Sequence, residues 1–241
     1  MKALHFIAGL PRSGSTLLSS ILYQNPQIHT EGHSALCNVM WDTLGSLNTN
    51  PHIVATGRNK TIKDIMSMLP KTYYMDVNRD VVIDKAFTWT LQGNIDMVKQ
   101  YITPNPKFIV MERPVDEIVA SFVNLMERNN SNGVFEDGVQ RFSGSLRERR
   151  EDAVRAEGSS LSADIRAYNN AKDHPDQSMF HYVSYKNLVE DTKQVLSGIY
   201  TFLELEEFPH DLDNIINHHG EDDSVWGLSG MHTIRPVISY R

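Results

Sequence analysis

Apolar residues gather in four short runs separated by longer stretches of helical periodicity. Leu4-His5-Phe6-Ile7-Ala8, Val81-Val82-Ile83, Phe108-Ile109-Val110-Met111 and Met179 to Val183 read as strands. The third is apolar throughout, which fits burial on both faces. Between them, Ser15 to Tyr23 carries Leu17, Leu18, Ile21 and Leu22 at helical spacing. Weaker helical patterns span 34–47 and 60–69, and Gln92 to Tyr101 forms another that Pro104 and Pro106 close. Pro114 suits the first position of a helix carrying Ile118, Val119, Phe122 and Leu125. An amphipathic helix from Leu188 to Leu203 follows the last strand. Strands alternating with helices predict an α/β fold: a three-layer, P-loop-like domain over 1–241, with a central parallel sheet of four to five strands. Ligands bind beyond the carboxyl ends of such strands. Residues 128–172 break the rhythm and read as a mainly helical insertion, either a solvated charged helix between loops or a cover over a binding site.

Composition narrows the partners. Lysine and arginine total 23 against 30 acidic residues, a net charge of −7, so the broad basic surface of a nucleic-acid binder is missing. No run approaches the roughly 18 apolar residues of a membrane span. The first eight residues are too short for a signal-peptide core, and a lone Cys37 supports neither a disulfide framework nor a cysteine zinc site. The expected setting is the cytoplasm.

Any anion must then be held locally, and Gly9-Leu10-Pro11-Arg12-Ser13-Gly14-Ser15-Thr16 has the means. A strand, a glycine-bearing loop and a helix start present unpaired N–H groups and the positive end of a helix dipole. Gly9 and Gly14 allow tight turning, and Ser15 and Thr16 add hydroxyls. The segment nearly fits the P-loop pattern, but Ser15 stands where the pattern has lysine, and the cation is Arg12 inside the loop.

The run from Gly9 through Leu17-Leu18 resembles the 5′-phosphosulfate loop of sulfotransferases that use 3′-phosphoadenylyl sulfate (PAPS). It is closest to the form in bacterial and tyrosylprotein-sulfotransferase-like members. The resemblance implies that Pro11, Arg12, Ser13, Gly14, Ser15, Thr16 and Leu17 bind cofactor. It also implies a 3′-phosphate site, in which an arginine after a strand is followed eight positions later by a helical serine; Arg113 and Ser121 match. Guanidinium binds phosphate through paired hydrogen bonds, though Arg113 could instead pair with Glu112 or Asp116 at the surface. Tyr185, in a stretch similar to the family's late strand, would reach the nucleotide or else pack in the core. Arg235, in the tail 226–236, would close over a phosphate.

Sulfuryl transfer asks the protein for positioning, cations near the bridging oxygen, and a base for the acceptor hydroxyl. The resemblance offers Arg12 and Lys85 as cations, although the Asp-Pro that follows the family's lysine is absent here. For the base, alignment on the loop points to His33, with Glu31 two positions earlier as the alternative. His218-His219 reads as surface. The implied activity moves a sulfuryl group from PAPS to a hydroxyl, releasing PAP, with no metal, on an acceptor more readily a small molecule than a protein. A P-loop nucleotide kinase and a non-catalytic PAP or PAPS-binding module are the alternatives. Oligomeric state and acceptor are open.

Overall fold

The computed structural model describes residues 3–234. Its centre is a five-stranded, wholly parallel sheet in the order β2-β3-β1-β4-β5. The strands are β1 (Ala3–Gly9), β2 (Ile28–Thr30), β3 (Val81–Lys85), β4 (Phe108–Glu112) and β5 (Phe180–Ser184). The helices in chain order are α1 (Ser15–Leu22), α2 (Leu36–Thr49), α3 (Pro51–Thr56), α4 (Asn59–Tyr73), α5 (Gln92–Tyr101) and α6 (Val115–Asn129). After them come α7 (Glu136–Val139), α8 (Leu146–Arg155), α9 (Ser160–Asp173), α10 (Tyr185–Glu190) and α11 (Thr192–Leu203).

Strand alternation builds the layers. On one face Leu4, Phe6 and Ala8 of β1 join Phe108 and Val110 of β4 in a core with residues of α2, α4, α5 and α9. On the other, Ile7, Ile83, Ile109 and Met111 pack with α1 and α11. Phe108 to Met111 are fully buried, each worth about 1.5–3 kcal/mol, which is why that run carries no polar alternation. A third cluster joins α6, α7 and α8 with Leu10 of the first loop and Leu228 of the tail.

Three features depart from the sequence expectation. Strand β2 is only three residues long and has a single strong apolar residue, Ile28, so it offers no period to read. Helix α3 is an addition, started by Asn50, whose side chain accepts from His52 N and Ile53 N, with Pro51 behind it. The helix expected over 188–203 is two. Asp191 breaks it at φ −141° and caps α11 by accepting from Gln194 N. Among the described residues, no helix is long and apolar enough to cross a membrane.

Candidate functional site

Register brings the chemistry to one sheet end. Ile7 lies opposite Lys85, Gly9 opposite Met111, and Glu112 opposite Ser184. The loop after β1, Lys85 ending β3, Arg113 after β4 and Tyr185 after β5 therefore emerge side by side. There the chain changes from one side of β1 to the other, the place where open α/β sheets hold ligands. A cavity of about 1390 Å³ opens at this end.

The loop is built for close approach. Gly9 has φ +101°, and a Cβ on it would lie 2.4 Å from Met111 O. Gly14 caps α1 at φ +84°, and a Cβ there would lie 2.9 Å from a Tyr185 ring carbon. Arg12 also takes a left-handed conformation, φ 56°, which is uncommon for a residue with a side chain and typical of constrained ligand loops. Among the described residues, the N–H groups of Ser13, Gly14, Ser15, Thr16 and Leu17 have no backbone acceptor. Pro11, Arg12, Gly14, Ser15, Thr16 and Leu17 all line the cavity. Ser13 does not: it is fully buried, and its hydroxyl donates to Leu10 O, so it braces the loop.

The second expected anion site joins the first. Arg113 Nη1 donates to the Arg12 carbonyl at 2.7 Å, and its guanidinium lies 4.3 Å over the Tyr185 ring. Its surface ion pair is with Glu117, at 3.0 Å, rather than with Glu112 or Asp116. Those two are engaged by Lys172 and Arg155. Ser121 faces the same space, but its partner is Arg12, whose Nε donates to Ser121 Oγ at 3.1 Å. Arg12 Nη1 also donates to Met231 O, which ties the loop to the tail. Arg235 lies outside the described residues.

Lys85 is 1% exposed, and its Nζ lies 3.5 Å from Thr16 Oγ1, beneath the loop. Burial pushes it down to about 8, with Glu221 partly opposing. His33 lines the cavity beside it, its ring 5.3 Å from that of Phe87. The ring is open to the cavity but crowded by protein on its other sides; this desolvation, then the Lys85 and His232 charges, lower it to about 4. Glu31 is not part of the cavity wall and pairs instead with His29 at 3.6 Å. Beside Lys85, the fully buried Asp84 accepts from Tyr74 Oη at 2.5 Å and Trp89 Nε1 at 2.6 Å, fixing the end of β3.

The tail supplies what sequence reasoning missed. Glu221 Oε1 accepts the His33 backbone N–H at 2.8 Å and lies 3.6 Å from His232 Nε2. His232 Nδ1 meets Asp223 Oδ1 at 2.5 Å, and its ring lines the cavity. Nothing in the spacing of these residues, which lie in irregular chain or at the start of the short 3-10 turn Asp223–Trp226, signals the cluster. Of the His218-His219 pair, His218 is exposed and stacks on Tyr23, while His219 is half-buried and lowered by burial to about 4. The segment 128–172 forms the remaining wall, through Val134, Phe135, Asp137, Gly158 and Asp164 among others. Among the described residues, no group of three histidine, cysteine or acidic side chains is placed to hold a metal ion.

A parallel sheet whose first strand turns through an anion cradle into a helix defines a P-loop-like α/β protein. The sulfotransferase family model matches residues 5–210, and the chain belongs to that family. Among solved structures, it is similar to the sulfotransferase domain from the curacin biosynthetic pathway, at 18% identity and a TM-score of 0.54, covering 87% of this chain and 76% of that one. The sulfotransferase domain of the Synechococcus PCC 7002 olefin synthase matches at 19% identity and TM-score 0.53, covering 86% and 74%. A sulfotransferase from Alicyclobacillus acidocaldarius matches at 13% identity and TM-score 0.51, covering 92% and 87%. These likenesses establish the fold, a parallel five-stranded sheet between helices. A search of curated proteins finds no match.

Proposed function

We propose that the protein transfers a sulfuryl group from PAPS to a hydroxyl of a small acceptor. The observation that carries this reading is the pairing of two anion-binding groups at one sheet end. One is the row of unpartnered N–H groups at the start of α1; the other is Arg113 against Tyr185. A donor with phosphates at both ends of its ribose needs both, whereas a nucleoside triphosphate needs only the first. The missing P-loop lysine points the same way. The residues present fit the donor: Gly14, where a Cβ would lie 2.9 Å from Tyr185, lets that ring pack directly on the cradle, which brings the adenine side and the phosphosulfate side together.

The loop from Pro11 to Leu17 would hold the phosphosulfate, Arg113 and Ser121 the 3′-phosphate, and Tyr185 the adenine side. The Arg113–Glu117 pair, with Glu117 54% exposed, is worth at most about 1 kcal/mol, so a dianion displaces it readily. PAPS supplies an activated sulfuryl group with PAP as the leaving product. The chain's own part is positioning and charge. Lys85, reaching Thr16 from below, neutralises charge that builds on the leaving oxygen, and Arg12 contributes from the loop. His33 takes the acceptor's proton; its lowered affinity for protons keeps it neutral, and so able to accept, across ordinary pH. Glu31 stands outside the cavity, so the imidazole is the better-placed base. About 1390 Å³ exceeds the span of ordinary single-ligand pockets and leaves space for an acceptor beside the nucleotide.

Calorimetric titration with PAP, with ADP, and with ATP plus magnesium tests the reading. PAP binding that depends on the 3′-phosphate and needs no metal is the expected result. Preference for magnesium ATP would return the loop to nucleotide kinase chemistry. Binding of PAP without turnover over a broad acceptor panel would favour a sensing module.

A further inference from the structure

Asp164 lines the cavity, is buried, and is left without a task by the transfer chemistry. It lies on α9 and is 8% exposed. Neither of its oxygens has a hydrogen-bond or ion-pair partner among the described residues, and neither is sealed from the cavity that the residue lines. A buried carboxylate without donors is costly, and native folds rarely keep one for packing alone. Leu161 and Ala167 on the same helix are fully or almost fully buried, so an apolar residue at 164 would sit in the helix at lower cost.

The neighbouring contacts place this carboxylate on the acceptor side. Helix α9 is clamped to the turn Phe87–Thr90: Thr90 Oγ1 donates to Ala167 O at 2.9 Å and Asn170 Nδ2 donates to Thr90 O at 2.7 Å. Asp164 is almost one turn upstream of Ala167, and Phe87, at the start of that turn, packs on His33. The nucleotide-side cations Arg12 and Arg113 belong instead to the loop and the start of α6. The cavity is thus polar in the electrical sense. Lys85, Arg12 and Arg113 come from the sheet end and its loops, while Asp164, with Asp137 and Glu157 nearer the surface, comes from the segment 128–172, to which Arg128 and Arg141 add exposed cations. Among the described residues, no charged side chain stands close enough to Asp164 to perturb it, and burial raises its carboxyl to about 7. Phe87, Val134 and Phe135 add an apolar wall.

We propose that Asp164 is the anchor of an ammonium-binding subsite, so that the acceptor is a hydroxy compound that also carries a protonated amine. The ammonium supplies the donors that the carboxylate lacks, and the apolar wall takes the carbon body. The hydroxyl part of this statement rests on the sulfotransferase reading; the subsite does not. An uncharged polyol satisfies hydrogen bonds but leaves the buried charge unpaired.

The test uses matched pairs in which an ammonium is replaced by a methyl group: tyramine with para-propylphenol, para-(aminomethyl)benzyl alcohol with para-ethylbenzyl alcohol, and ethanolamine with propanol. Dissociation constants are measured by calorimetry on the full chain, with and without PAP, for the native protein and for Asp164→Asn. The expected result is that at least one ammonium compound binds about tenfold or more tightly than its neutral twin. In Asp164→Asn that preference should disappear while PAP affinity and folding are kept. No preference in the native protein for any pair, including no binding by any compound, overturns the proposal. So does a preference that survives in Asp164→Asn. Equal weakening of both members of a pair would mean that Asp164 acts on the hydroxyl, and would overturn it too. Failure of PAP to bind would remove the donor assignment, while the PAP-free titrations would still decide the subsite.

Discussion

Replacing Lys85 with methionine should make the protein more stable and nearly inactive. Lys85 is 1% exposed and has no carboxylate within ion-pair distance among the described residues; its nearest polar partner is Thr16 Oγ1 at 3.5 Å. A lysine that releases its proton at about 8 rather than 10.5 is less favourable when charged in the folded state by about 3 kcal/mol. Below about pH 8 the side chain is charged in both folded and unfolded states, so the folded state bears this whole cost. Between about 8 and 10.5 the folded state has released the proton that the unfolded chain still binds. Native stability therefore rises with pH through that window, and the cost is gone above it. Methionine has a similar length and no charge, so Lys85→Met should gain up to about 3 kcal/mol near neutral pH. The gain should shrink to almost nothing near pH 10.5. Urea unfolding of both proteins at a series of pH values measures it. The same variant should lose about a hundredfold to a thousandfold in turnover, as when one group that stabilises developing charge is removed. A variant less stable at neutral pH, or a gap flat across the series, would refute the argument that Lys85 is held charged against its solvation.

Other substitutions separate the roles. Arg113→Ala should weaken PAP binding by about a hundredfold with the fold kept, read by calorimetry and circular dichroism; unchanged affinity would remove Arg113 from the 3′-phosphate site. His33→Asn should lower kcat by about a hundredfold to ten-thousandfold and leave PAP affinity nearly intact. Glu31→Gln, outside the cavity wall, should stay close to native, and the reverse pattern would move the base to Glu31. Gly14→Ala combines φ +84° with a Cβ 2.9 Å from the Tyr185 ring. It should cost about 1–3 kcal/mol and blunt PAP binding, and native affinity in that variant would mean that the loop does not close on its ligand.

Legibility of the sequence followed how local each signal is. The loop, Lys85 and Arg113 could be found because each follows an apolar strand, and strand register then carries them to one end without further information. Whether Arg113 and Ser121 share a partner could not be read from an eight-residue spacing. Ser121 faces the right way, yet Arg12, from the loop after the neighbouring strand β1, takes its hydroxyl. That His33 lines the cavity while Glu31 does not depends on the path of the chain after β2, a strand too short to announce itself. Asp164 and the Glu221–His232–Asp223 cluster had no local pattern at all. Their meaning comes from what tertiary packing places around them, a buried carboxylate without a donor in one case and a histidine between two acids in the other.

The tail separates the integrity of the fold from the integrity of the site. The sheet is complete at Ser184, while the Glu221 bond to His33 and the His232 wall arrive about 37 and 48 residues later, beyond α11 and an irregular stretch over 205–222. Gln24, just after α1, holds that stretch by bonds with Asp211, and Asn217 reaches His232 O. A single proteolytic cut there would leave the sheet and its helices whole while unpinning one side of the cavity, at the cost of loosening Phe208, Leu212 and Ile215 on the edge of one core. Such a nicked protein would melt almost normally and catalyse poorly, so an assay of thermal stability alone would pass damaged material as sound.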